Sequence, residues 1–179
     1  MELAEYPVVR NWRNIYKDFG EKKARSSIEA LIRRIVNGND LPNINPLVDL
    51  YNVASLKFEL PCGGEDLDNM PGDLELTFAQ GNEEFISLGE TEVENPNPGE
   101  VVYKSKDMIV CRNLNYRESD ITKLTNETTN AIIVFEYIND NNTEELQKAL
   151  DFMSELVNKY LGGTTKSFIV NSENNEIEL

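Results

Sequence analysis

An α+β fold is predicted for this 179-residue chain by three observations. Apolar residues recur at helical spacing in four separate stretches. Short alternating or uniformly apolar runs, bounded by Gly, Pro and Asn, read as strands between them. The helices flank the strands rather than alternating with them, which is the pattern of a segregated sheet rather than a doubly wound one. At 40% hydrophobic residues the chain can bury a proper core, and one domain is expected over residues 1–179. It divides into a basic helical part (10–38), a core (39–170) and a polar tail (171–179).

Trp12, Ile15, Tyr16 and Phe19, closed by Gly20, predict a first short helix. Ser26 and Glu29 form a capping box before a second helix that buries Ile28, Leu31, Ile32 and Ile35 and stops at Gly38. Leu47, Val48, Tyr51, Ser55 and Phe58 predict a third helix, which Pro61 and the turn glycines Gly63 and Gly64 end. Leu74, Leu76 and Phe78 alternate as a strand; residues 85–88 read as another. Pro96 and Pro98 make residues 92–99 a loop. Residues 101–103 and 108–111 read as a hairpin. Residues 131–138 form a β-rich run expected to be buried on both faces. Thr143 caps a further helix with core stripe Leu146, Ala149, Leu150, Met153, Val157 and Tyr160, ended by Gly162 and Gly163. Residues 167–170 read as a last strand.

Composition excludes whole classes of chemistry. The chain has no histidine and only two cysteines, Cys62 and Cys111. Ser-His and Cys-His nucleophilic catalysis and histidine-based zinc sites are therefore ruled out, and neither a disulfide framework nor a metal is expected. No apolar run approaches the length of a membrane span, and the N-terminus lacks a signal-peptide pattern. A cytoplasmic protein with no membrane partner is the expectation. A net charge of −15 argues against indiscriminate nucleic-acid binding, and no DNA partner is expected. The basic residues nonetheless cluster early: Lys22, Lys23, Arg25, Arg33 and Arg34 either hold an RNA backbone or are the solvated faces of two helices.

The segment LPNINPLVDLYNVASLKFELPCGGEDLD, residues 41–68, resembles the B3/B4 editing domain of the phenylalanyl-tRNA synthetase beta subunit, here freestanding. That family opens a helix with Asp-x-x-Asn, matched by Asp49 and Asn52. It follows with Gly-x-Pro-x-His-x-Phe-Asp, matched by Pro61 and Asp66 at the same separation. Gly63 replaces the family's histidine and Glu65 its phenylalanine. The resemblance implies a Greek-key, barrel-type sheet with flanking helices and a central cleft. It also implies a trans-acting deacylase that hydrolyses the ester of a mischarged tRNA, with no cofactor and with tRNA as partner. The alternatives are a non-catalytic module binding tRNA or protein, and an amino-acid sensor; only the RNA-binding readings need the basic end.

In the hydrolytic reading, amides near Gly63 and Gly64 hold the ester oxygen or the terminal ribose. Asn52 orients the attacking water or the ribose, and Glu65 acts as base or clamps the substrate's amino group. Asp66 contacts substrate or caps the next segment. Arg112, Asn115 and Arg117 lie just past a strand end, where loops carry function; the arginines contact phosphate or form salt bridges. The resemblance implies that a glutamate ending the buried strand reads the rejected side chain. Glu136 is its counterpart, but the spacing from Thr129 is one residue longer, so either Glu136 or Phe135 faces the pocket. The family's segment after the last helix, lining the amino-acid pocket, corresponds in type to Gly162, Gly163 and Thr165.

Overall fold

A computed structural model describes residues 2–138 and 143–178. Four helices carry the predicted apolar stripes: α1 (Pro7–Asp18), α2 (Ser27–Val36), α3 (Pro46–Phe58) and α4 (Glu144–Tyr160). Eight strands complete the fold: β1 (Cys62–Asp66), β2 (Glu75–Phe78), β3 (Phe85–Ile86), β4 (Val93–Glu94), β5 (Val101–Ser105), β6 (Met108–Arg112), β7 (Arg117–Glu118) and β8 (Ala131–Phe135). All named strand pairs are antiparallel: a four-stranded sheet in the order β2-β5-β6-β7, and two-stranded sheets β1-β8 and β3-β4. Among the described residues the sheets do not close into a barrel.

Local chemistry sets the helix boundaries. Pro46 occupies the first turn of α3, where its missing N–H costs nothing, and the Asn45 side chain accepts the Val48 amide at 3.0 Å. Ser26 caps α2 by accepting the Glu29 amide. The return half of the capping box is absent, because the Glu29 carboxylate turns to three arginines. Arg13 from α1 (2.7 Å), Arg33 (2.5 Å) and Arg25 (3.5 Å) converge on this fully buried acid. Burial by itself pushes the Glu29 carboxyl up, but the bonds from Arg13 and Arg33 outweigh it and hold the group below the usual carboxylate range.

Two apolar clusters carry the packing. Trp12 and Tyr16 of α1 meet Ala24, Ile28, Val101 and Leu114, so the basic N-terminal part is built into the core. Val48, Tyr51 and Ala54 of α3 meet Cys62, Leu124 and Met153 of α4. Ile28 is completely buried; truncating it to alanine should cost about 2–5 kcal/mol.

Several expectations are corrected. Gly63 and Gly64 lie in strand β1, not in a turn. The helix before them ends instead at Glu59, in the left-handed conformation at φ 56°. Residues 92–99 contain β4. The run at 131–138 is a strand only to Phe135; it is half-buried through 137 and exposed at Ile138. Residues 167–170 form no strand; only Ile169 packs inward, against the cluster around Leu60 and Ala149. Ile35 and Tyr160 are exposed rather than core, and the Thr143 side chain makes no capping bond. Tail residues 171–178 are exposed, and Leu179 lies outside the described residues.

Candidate functional site

Two cavities meet beneath β1, and the alternation of that strand decides which side chains face which. The register pairs Gly63 with Val134 and Glu65 with Ile132. Glu136 extends the ladder by donating its amide to the Pro61 carbonyl at 3.1 Å, which sets Glu136 on the face of Val134. Gly63, Glu65, Val134 and Glu136 therefore wall an inner chamber of about 30 Å³ together with Tyr103, Cys111, Leu114, Asn115 and Glu118. That is room for one or two water molecules. Phe135 turns the other way and packs with α3 and α4, so Glu136 is the residue facing the chamber.

The chamber is acidic. Glu65 accepts the Thr122 hydroxyl at 2.5 Å. Burial and then the nearby Glu118 push its pKa up to about 9, against the opposing Thr122 bond. Burial alone raises Glu118 to about 7. Burial also raises Glu136 to about 7, although bonds from Asn115 and from the Tyr103 hydroxyl (3.0 Å) favour its charged form. Asn115 is the keystone. Its carbonyl oxygen takes the Ser27 amide at 2.8 Å and the Tyr16 hydroxyl at 3.2 Å, while its amide nitrogen donates to Glu136. It sits in the β6–β7 turn, where Asn113 (φ 51°) and Leu114 (φ 60°) are both left-handed. For a leucine that conformation costs about 1–2 kcal/mol, and it sets Leu114 in the chamber wall. Burial raises the Cys62 and Cys111 thiols well above the ordinary range, which makes them packing groups rather than nucleophiles.

The second cavity is an open groove of about 410 Å³ that shares Asn115 and Glu118 with the chamber. Ser27 and Leu31 of α2, Tyr51 and Asn52 of α3, Ser87, Tyr116, Arg25 and Arg117 also line it. Arg25 and Arg117 keep 38% and 31% of their side chains exposed, so they stand on the solvent side. Glu118 stands at the passage to the chamber. The groove thus runs from positive outside to negative inside.

Of the candidate residues, Asn52, Arg25, Asn115 and Arg117 are brought to the groove, and Gly63, Glu65, Asn115 and Glu136 to the chamber. Others are placed elsewhere. Gly64 faces the helices, where a Cβ would lie 2.6 Å from Ile133 Cδ1 and 2.8 Å from Leu124 Cδ1. The Asp66 carboxylate accepts the Asp68 amide (3.0 Å) and the Thr128 hydroxyl (2.7 Å), the capping role. Arg112 is buried against Glu100 in a two-pronged pair at 2.7 Å each and also reaches Glu94. Thr165 is exposed and lines neither cavity. Lys22 and Lys23 are exposed, Arg33 is held by Glu29, and Arg34 donates to the Asp40 carbonyl.

Glu118 and Tyr103 were missed by sequence reasoning. The only local signal for Glu118 is its position beside Arg117 at a strand end. Hydrogen-bonded pairs alternate along an antiparallel ladder, so Gly63 exchanges its amide with Val134. The Gly64 amide points to the opposite edge, where Ser27 Oγ takes the Cys62 amide at 3.1 Å.

The sequence profile of the B3/4 domain matches residues 11–175. No curated protein matches the chain by sequence. Among solved structures, an N-terminal fragment of the phenylalanyl-tRNA synthetase beta subunit from Pyrococcus horikoshii superposes with a TM-score of 0.52 at 18% identity. The match covers 66% of this chain and 40% of that one.

Proposed function

The chain belongs to the B3/4 domain family, and from that premise we propose that it is a trans-acting aminoacyl-tRNA deacylase, hydrolysing the ester between a wrong amino acid and the terminal adenosine of a tRNA. The observation that carries the reading is the polarity of the groove. Arg25 and Arg117 on the solvent side suit the phosphates of an acceptor end, while Glu118 on the inner wall of the groove suits a cationic aminoacyl group. Tyr116, exposed at the groove, offers aromatic surface for a terminal base.

In this reading water attacks the ester carbonyl, the bond to the ribose oxygen breaks, and the ribose hydroxyl leaves with a proton. Asn52 lines the groove with its side chain free of any hydrogen bond to a described residue, which leaves its amide to orient the water or the ribose. The sheet occupies the Gly63 amide and Gly64 lines neither cavity, so neither backbone amide is placed for the ester oxygen. Glu65, with a pKa of about 9, is protonated at neutral pH and serves as a hydrogen-bond donor rather than a base. An aminoacyl ester is already reactive, so a positioned water and a polarised carbonyl suffice.

The test is a deacylation screen against correctly and incorrectly charged tRNAs without added metal. At least one mischarged species should be hydrolysed. Asn52→Ala should lower its turnover by about 10²–10³ at an unchanged melting temperature. Inactivity across the panel would overturn the reading. A second reading, an amino-acid sensor, is favoured by the engagement of Arg13, Arg25 and Arg33 with Glu29, which leaves less of the basic end for RNA. It requires calorimetric binding of a free amino acid with no ester cleaved.

A further inference from the structure

We propose that Glu118 is the receptor for the substrate's α-ammonium group, and that through it the protein separates esters of free amino acids from those whose amine is acylated, as in a peptidyl ester. This rests on the deacylase reading. Glu118 walls both cavities and so stands on the inner face of the groove, where an aminoacyl group lying in that groove would place its α-carbon substituents. Its side chain takes no hydrogen bond from any described residue, in contrast to Glu65 with Thr122 and Glu136 with Tyr103 and Asn115. Its Oε1 lies directly over Gly63, 3.1 Å from where a Cβ would stand, so the missing side chain opens the approach.

Neither neighbouring arginine neutralises it. Arg117 is committed to Glu94 at 2.7 Å and 3.1 Å, and Arg25 to Glu29. Among the described residues no group of three acids or thiols is arranged to hold a metal ion, which leaves an organic cation as the fitting occupant. The carboxyl is half-buried where groove and chamber meet, so a cation that pairs with it gains a charge-assisted bond in partly desolvated surroundings. An acylated nitrogen carries no charge and offers a single donor.

The experiment compares a 3′-aminoacylated RNA hairpin with its N-acetylated form, on the wild-type protein and on Glu118→Gln. The wild type should prefer the free amine by about 10²-fold in kcat/KM, the worth of one buried charge-assisted bond. Glu118→Gln should shrink that preference to a few-fold, by losing rate on the free amine while leaving the acetylated form nearly unchanged. Equal cleavage of both esters by the wild type, or an undiminished preference in the variant, would overturn the proposal. If no ester is cleaved at all, the deacylase reading fails, and binding of hydrolysis-resistant amide-linked aminoacyl-adenosines decides the receptor separately. The free-amine analogue should bind at least about 10-fold tighter than its N-acetyl derivative. Equal binding, or no binding of either, refutes it.

Discussion

Removing the charge of Glu118 should stabilise the protein, and only at pH values where the carboxyl would be ionised. Burial raises this group from 4.5 to about 7. At about 1.4 kcal/mol per pH unit, the displacement corresponds to about 3 kcal/mol. A carboxyl raised in the folded state leaves the folded chain holding more protons than the unfolded one between these two values. Its penalty is absent below about pH 4.5, grows through pH 7 and is constant above. Glu118→Gln keeps the shape and removes the ionisation, and it also takes away the charge that helps push Glu65 up. Urea denaturation of both proteins at pH 4.5, 6 and 8 should give a variant-minus-wild-type difference near zero at the lowest pH, rising to about 3 kcal/mol at the highest. In thermal melts at pH 8 the gain should be about 6–10 °C for a chain of this size. Glu136 titrates in both proteins, so its contribution largely cancels in the difference, whereas Glu65, relieved of the Glu118 charge, adds to the gain at the highest pH. A difference that does not change with pH, or a destabilised variant at pH 8, would mean that Glu118 is solvated and not the desolvated acid of the passage.

Glu29→Gln should cost about 3 kcal/mol in chemical denaturation, at the lower end for a broken buried ion pair because Arg13, Arg25 and Arg33 can still reach water; a loss below about 1 kcal/mol would show that the cluster contributes little. Gly64→Ala should destabilise by about 1–3 kcal/mol, since its Cβ meets Ile133, Leu124 and Tyr51. Gly63→Ala meets only a Glu118 oxygen and should leave the melting temperature nearly unchanged; the reverse order would mean the faces of β1 are misassigned. Reversing the charges of Lys22 and Lys23 should weaken tRNA binding and flatten its salt dependence by about one phosphate term per residue, while sparing a minimal aminoacyl-adenosine ester; equal losses on both substrates would remove this face from the RNA contact.

The helices were legible because their determinants are local: the spacing of Tyr51 and Ser55, the Ser26 cap and the proline before Leu47 act within one or two turns. The 101–112 hairpin was legible for the same reason, since β5 and β6 are joined by a two-residue turn. The glycine pair was not. By local preference Gly63-Gly64 reads as a turn, yet pairing with β8, distant in sequence, makes it strand, because tertiary hydrogen bonds override a preference worth only about a kcal/mol. Arg112 looks like a ligand-binding cation in a loop until the fold brings Glu94 and Glu100 to it.

Sequence alone determined that any chemistry of these residues proceeds without histidine and that an acid stands near the end of β8, and it nominated Asn52 for the candidate site. It could not choose between Phe135 and Glu136, since strand side chains alternate and a one-residue slip exchanges the two faces. Only the register of β1 against β8 decided that. Glu118 belongs to the tertiary structure entirely: an acid beside an arginine is an ordinary surface pair until β7 is packed beneath β1 and its carboxyl is set between the two cavities.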